Sequence, residues 1–171
     1  RLQLELQQHT VQGGRISLTT DTWSVRNYSE YAAVTAHWIS NKWQLRCIVL
    51  DVIKLREPIH SGEYLAEQLI AVIDDYGITP AVFTITRDNA SANTTMLSEY
   101  ENLACKNETT LQQPWAYTTK EGDVRCIGHI INLAVQAALT SLKAVPADEL
   151  NAYRLEYRAA RVPLLLENEM L

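Results

Sequence analysis

Pro80-Ala81-Val82-Phe83-Thr84-Ile85-Thr86-Arg87-Asp88-Asn89-Ala90-Ser91-Ala92-Asn93 is a short apolar run opened by proline and closed by an acid, with small polar residues following. A run so short and so bounded suits a buried central strand, and an acid at its carboxyl end stands where ligands gather in open α/β sheets. Arg15-Ile16-Ser17-Leu18-Thr19-Thr20-Asp21-Thr22-Trp23-Ser24 repeats the design. Two strands that each deliver a carboxylate to their carboxyl edge, separated by a hairpin and a helix, point to a shared metal site and to phosphoryl transfer on nucleic acid.

Outward from these strands, alternation predicts three strands over 16–23, 31–39 and 43–53. Ala32, Val34, Ala36 and Trp38 form one face of the second, Ala33, Thr35 and His37 the other, and Ser40-Asn41-Lys42 supplies a tight link. Ser61 is a candidate N-cap for a helix over 61–76 that aligns Leu65, Leu69, Val72, Ile73 and Tyr76, with Gly77 as its stop. A second helix is expected over 91–103, then a polar loop over 105–124 containing Pro114 and Gly122. A strand follows at 125–127, a helix over 130–142, and a last helix from Pro146 through Arg161. Residues 1–11 read as a short helix or strand before Gly13-Gly14.

The order β-β-β-α-β-α-β-α is that of the ribonuclease-H-like fold, an α/β mixed sheet of three antiparallel strands extended by parallel strands and flanked by helices. It sets Asp21 and Asp88 on neighbouring strands. The expected organisation is a lead-in over 1–13, an incomplete core over 14–145 and a helical tail over 146–171 that could start an insertion domain. A chain that begins at Arg1 is expected to be cut from something longer.

The 171 residues suffice for one domain with a core, and 47% hydrophobic with 20% charged residues is the balance of a globular chain. No apolar run approaches the ~18 residues of a membrane span, so an intracellular setting is expected. Cys47, Cys105 and Cys126 are odd in number and irregular in spacing, which suits a reducing compartment. The sequons at Asn27, Asn89, Asn93 and Asn107 are discounted on the same ground. A net charge of −5 counts against a self-sufficient DNA-binding module, which needs a basic face. Carboxylates that hold cations remain compatible with it.

Mg²⁺ or Mn²⁺ takes hard oxygen ligands, and two aspartates from adjacent strands suit a two-cation clamp. An aspartate at a strand end is equally a turn-maker or helix cap, so both readings stand for Asp21 and Asp88. Cys126-Ile127-Gly128-His129 lacks the partner ligands of a zinc site. It is either a buried cysteine with a satisfied histidine or a histidine aimed at a scissile phosphate or displaced base. Trp38 and Trp43 are expected in the core, while Trp23 and Trp115 are open to base stacking.

Residues 17–24, 31–38, 60–63, 85–93 and 125–133 together closely resemble the hAT (hobo/Activator/Tam3) transposase superfamily, in order and at its spacing over roughly 14–143. The resemblance implies a metal-dependent core that cuts transposon ends and joins them to target DNA in the nucleus, working as a homo-oligomer through segments absent here. By match, Asp21 and Asp88 are the first two metal-binding catalytic acids, and Cys126 and His129 belong to an element that handles DNA beside the cleavage point. Arg87 departs from the family, whose members usually carry threonine there, and it could pair with Asp88 or contact phosphate. The third acid, a glutamate beyond a helical insertion, has no match among Glu149, Glu156, Glu167 and Glu169. The expectation is therefore a chain that is not catalytically competent alone, or a domesticated module for DNA or protein interaction. A stand-alone nuclease would need a complete carboxylate set.

Overall fold

Three successive strands, β1 (Ile16–Ser24), β2 (Glu30–Ile39) and β3 (Leu45–Leu55), pair antiparallel, and β4 (Val82–Arg87) and β5 (Asp123–Arg125) extend the sheet in parallel beyond β1. The order β3-β2-β1-β4-β5 is the expected ribonuclease-H-like mixed sheet. These elements come from a computed structural model that describes residues 2–26, 29–56, 61–106 and 116–142. His60, Trp115, Asn27, Asn107, the four tail glutamates and the expected helix from Pro146 lie outside the described residues.

The alternation read from β2 holds. Ala32, Val34, Ala36 and Trp38 are buried, as are Ile16 and Leu18 of β1 and Ile85 of β4. Over them lie α2 (Gly62–Asp75) and α3 (Ser91–Ala104), which contribute Leu65, Leu69, Ile73, Met96 and Leu97. Ser61 caps α2 by accepting the Tyr64 N–H at 3.2 Å. Gly77 ends it at φ 66°, where its N–H and that of Ile78 bond back to Asp74 and Ile73. Residues 2–11 resolve to helix, α1 (Leu2–Val11), whose Leu6 is fully buried within the same core while Leu4 is exposed. Leucines two apart mimic a strand, but only one of this pair needs to face inward.

Several boundaries differ from expectation. The hairpin turn takes Ser40 through Gln44, closed by Trp43 N–H to Ser40 O and Ser40 N–H to Gln44 O, both at 2.9 Å. Trp43 occupies the left-handed position at φ 57° and is 89% exposed, so it is a turn residue and not core. Two bulges break the ladder: Phe83 is the extra residue between the Ile16–Val82 and Ser17–Thr84 pairs, and Leu50 between Val34–Asp51 and Thr35–Val49. The second leaves the Leu50 carbonyl to accept Tyr76 Oη at 3.0 Å. Within the expected polar loop, a short helix α4 (Thr119–Gly122) is tied to α3 by Thr119 N–H on Glu101 Oε2 at 2.8 Å and Thr119 Oγ1 on the Leu97 carbonyl at 3.2 Å.

The last strand stops at Arg125, and α5 (Ile127–Ser141) starts at Ile127 instead of Ile130. Its early start follows from Cys126, whose N–H makes the final rung to the Arg87 carbonyl at 2.8 Å and frees the next residue to wind. The chain divides at that point into two compact units, residues 1–126 and 127–171, and α5 belongs to the second. No helix among the described residues is long and apolar enough to cross a membrane.

Tyr100 and Tyr117 meet edge to face at 5.1 Å, both almost wholly buried, and neither hydroxyl has a hydrogen-bond partner among the described residues. Burial pushes both phenols well above the ordinary value of 10, and the Asp123 charge adds to the effect on Tyr117. Below pH 10 both states keep these protons, so the contribution to stability is intact. As pH rises past 10 only the unfolded chain releases them, and stability falls. Circular dichroism across pH 8–12 should show this alkaline loss, with Tyr100→Phe moving its midpoint upward. An unmoved midpoint would mean that other groups govern it.

Candidate active site

The β1–β4 ladder pairs Thr19 with Thr86. Two residues beyond that rung stand Asp21, still within β1, and Asp88, one residue past the end of β4, on neighbouring parallel strands about 4.8 Å apart. The β4–β5 ladder pairs Arg87 with Arg125, which sets Cys126 beside Asp88 in the same row. Three of the four residues singled out in the sequence therefore lie along one sheet edge. His129, the third residue of α5, belongs to the second compact unit.

The strand period puts Asp21 on the sheet face opposite the α2–α3 core, continuing a polar row, whereas Asp88 follows the end of β4 and turns towards the first turn of α3. Thr84 Oγ1 donates to Ser17 Oγ at 2.9 Å, Thr19 and Thr35 join through their hydroxyls, and Thr35 meets His37 Nε2 at 3.1 Å. Trp23, two residues beyond Asp21 and on the same face, is 39% exposed and stacks on Tyr31 with ring centroids 5.8 Å apart and planes 20° apart.

Asp21 is exposed. Asp88 is half-buried, and its Oδ1 accepts the Ala90 N–H at 2.9 Å and Asn93 Nδ2 at 2.6 Å. Asp88 thus organises the turn into α3, as the turn-maker reading required, while Ala90 is the N-cap residue, and no hydrogen bond among the described residues occupies the Asp88 Oδ2. The two sequence readings of this residue are compatible, because one carboxylate oxygen serves each.

Arg87 settles differently from either expectation. It is 3% exposed, so it is not a surface phosphate contact. Its guanidinium forms a bidentate pair with Asp123, Nε to Oδ1 at 2.9 Å and Nη2 to Oδ2 at 2.7 Å. Towards Asp88 it donates only to the main-chain carbonyl, Nη1 to O at 2.9 Å, and leaves the carboxylate alone. Sequence reasoning missed Asp123. An arginine just past a run read as a buried central strand calls for a nearby acid, and that was the available signal.

The donor set at this edge is hard oxygen: the Asp21 carboxylate, Asp88 Oδ2 and, next to Asp88 in sequence, a buried Asn89 Oδ1 with no hydrogen-bond partner among the described residues. Such donors fit Mg²⁺ or Mn²⁺ better than zinc. Among the described residues, no group of three or more His, Cys, Asp and Glu side chains comes together to hold a metal. Two acids are neighbours here, and no third joins them among the described residues.

The ZBED1 RNase-like domain family matches residues 19–114, more than half of the chain. A Zea mays protein described as an AC transposase is 29% identical over 125 residues, 73% of this chain and 15% of that protein. The Oryza sativa zinc finger BED domain-containing protein RICESLEEPER 2 is 27% identical over 142 residues, 82% of this chain and 19% of its own. A Talaromyces stipitatus protein described as the transcriptional regulator tpeD is 27% identical over 150 residues, 86% of this chain and 16% of its own. The chain thus spans less than a fifth of the length of each of these relatives.

Proposed function

Because this chain belongs to the hAT transposase superfamily, within its ribonuclease-H-like region, we propose that it carries the first two acids of a metal-dependent DNA cleavage and strand-transfer centre. The observation that carries this is the parallel β1–β4 ladder, whose Thr19–Thr86 rung lies two residues before Asp21 on one strand and two before Asp88 on the other. Both acids would hold Mg²⁺ or Mn²⁺, and a cation pair, when bound, stabilises the attacking and leaving oxygens of an in-line displacement at phosphorus. By the family resemblance the third acid lies beyond a helical insertion and has no match among Glu149, Glu156, Glu167 and Glu169, so the isolated chain is expected to bind the cation weakly and to cleave nothing.

Around the acids, the stacked Trp23–Tyr31 pair offers a flat aromatic surface on which a base can stack. Cys126 flanks Asp88, and His129 is assigned to DNA handling on the strength of its family match. In this proposal the partners are transposon ends and target DNA, the working form is a homo-oligomer and the setting is nuclear. The acidic balance of this chain leaves the main electrostatic grip on DNA to other parts of the protein.

Mn²⁺ titration followed by water-proton relaxation tests the assignment. Asp21→Asn and Asp88→Asn should each weaken binding about tenfold or more, since each removes an anionic ligand. Equal binding by all three proteins would remove the metal assignment. In that event the second reading, a domesticated interaction module, gains, and the likeness to the relative described as a transcriptional regulator already favours it.

A further inference from the structure

We propose that Arg87 and Asp123 form a positioning pair that sets where the Asp88 carboxylate stands. Arg87 is buried on the core side at the end of β4, and Asp88, the next residue, opens the turn into α3. Its guanidinium reaches three elements at once: Asp123 on β5, Thr94 Oγ1 on α3 at 3.3 Å, and the Asp88 carbonyl at the end of β4. The side chains are 2% and 17% exposed, so the pair is held away from water and has few alternative geometries. A planar fork that makes two parallel bonds to a carboxylate fixes orientation as well as distance.

The consequence falls on Asp88. Its main chain is fixed from below by Arg87, and its side chain is fixed from above by the Ala90 N–H and Asn93 Nδ2. Asn93 is itself buried, one residue before the Thr94 that Arg87 holds. The strand end, the turn and the first turn of α3 therefore form one node, and Arg87 is its cationic crosslink. Neither Arg87 nor Asp123 is assigned to touch substrate or metal. They act through Asp88, and this role in metal binding rests on the proposed assignment of Asp88 as a ligand.

The test replaces both partners together, Arg87→Met with Asp123→Val, so that neither charge is left buried alone and the fold is retained. Two readouts are taken on the 171-residue chain. Amide hydrogen exchange at Ala90 reports the Asp88 Oδ1 bond without any metal, and Mn²⁺ affinity reports the carboxylate as a ligand. The pair variant should exchange Ala90 about tenfold faster, with β1 and β2 amides unchanged, and bind Mn²⁺ about tenfold more weakly. The single variant Arg87→Lys, which keeps the charge but loses the fork, should fall between.

Unchanged Ala90 exchange in the pair variant overturns the proposal outright. Faster exchange with Mn²⁺ binding that still depends on Asp88 and is unaltered in strength overturns the positioning role for metal. If exchange rises while Mn²⁺ binding proves indifferent to Asp21 and Asp88 alike, the metal assignment fails and the positioning of Asp88 stands.

Discussion

Asp123→Ala should cost the fold about 3–5 kcal/mol, the usual consequence of removing one partner from a buried ion pair. Arg87 would then keep its charge at 2% side-chain exposure, with only the Asp88 carbonyl and Thr94 Oγ1 to receive five donors. Against a typical domain stability of about 5–15 kcal/mol, that loss brings the chain close to unfolding. The converse change, Arg87→Met, should cost less, because Asp123 is 17% exposed and can recover water once freed. Urea unfolding of the two variants measures the asymmetry. A cost below about 1 kcal/mol for Asp123→Ala would place the pair with exposed ion pairs, and the claim that it is shielded from water would fail.

What could be read in the chain beforehand follows from the range over which each signal acts. The faces of β2 and the ends of α2 were legible because they depend on neighbours within four residues: alternation through Trp38, a hydroxyl at Ser61, a left-handed glycine at Gly77. Trp43 misled because hydrophobicity does not reveal that a five-residue turn needs a left-handed position there. The bulges at Phe83 and Leu50 were hidden for a related reason, since an extra residue within an apolar run leaves no break in the pattern.

Asp21 and Asp88 were legible as a pair because parallel strands present their carboxyl ends together, a rule of topology that needs no side-chain detail. The Arg87–Asp123 pair was not, since its members stand 36 residues apart and only the β4–β5 register joins them. Asp88 shows why the ligand and turn-maker readings could not be separated in advance. Asn93 and Ala90 occupy one oxygen of a group that has two.

Gly62→Ala should destabilise the chain by about 2–3 kcal/mol despite the better helix propensity of alanine. A Cβ at position 62 would stand 2.4 Å from Thr95 Cβ and 2.7 Å from the Met96 main-chain nitrogen, in the first turn of α2 where it crosses α3. Thr95 is exposed and can turn part of its side chain away, but its Cβ and the Met96 nitrogen move only if α3 moves. Overpacking of that kind costs about 1–3 kcal/mol, and the gain of up to about 1 kcal/mol from replacing a helical glycine is small at a first-turn position. Moving α3 also has a functional reach, because its first turn holds Asn93 and Thr94, the residues that grip Asp88 and Arg87. Gly62→Ala should therefore lower the thermal midpoint and, in the surviving folded fraction, raise amide exchange at Ala90. Gly77→Ala, a glycine change at the far end of the same helix, supplies the control: it strains a left-handed position yet should leave Ala90 exchange unaltered. If Gly62→Ala proves neutral in stability, the two helices are not in the close contact described, and Gly62 owes its place in the chain to something other than packing.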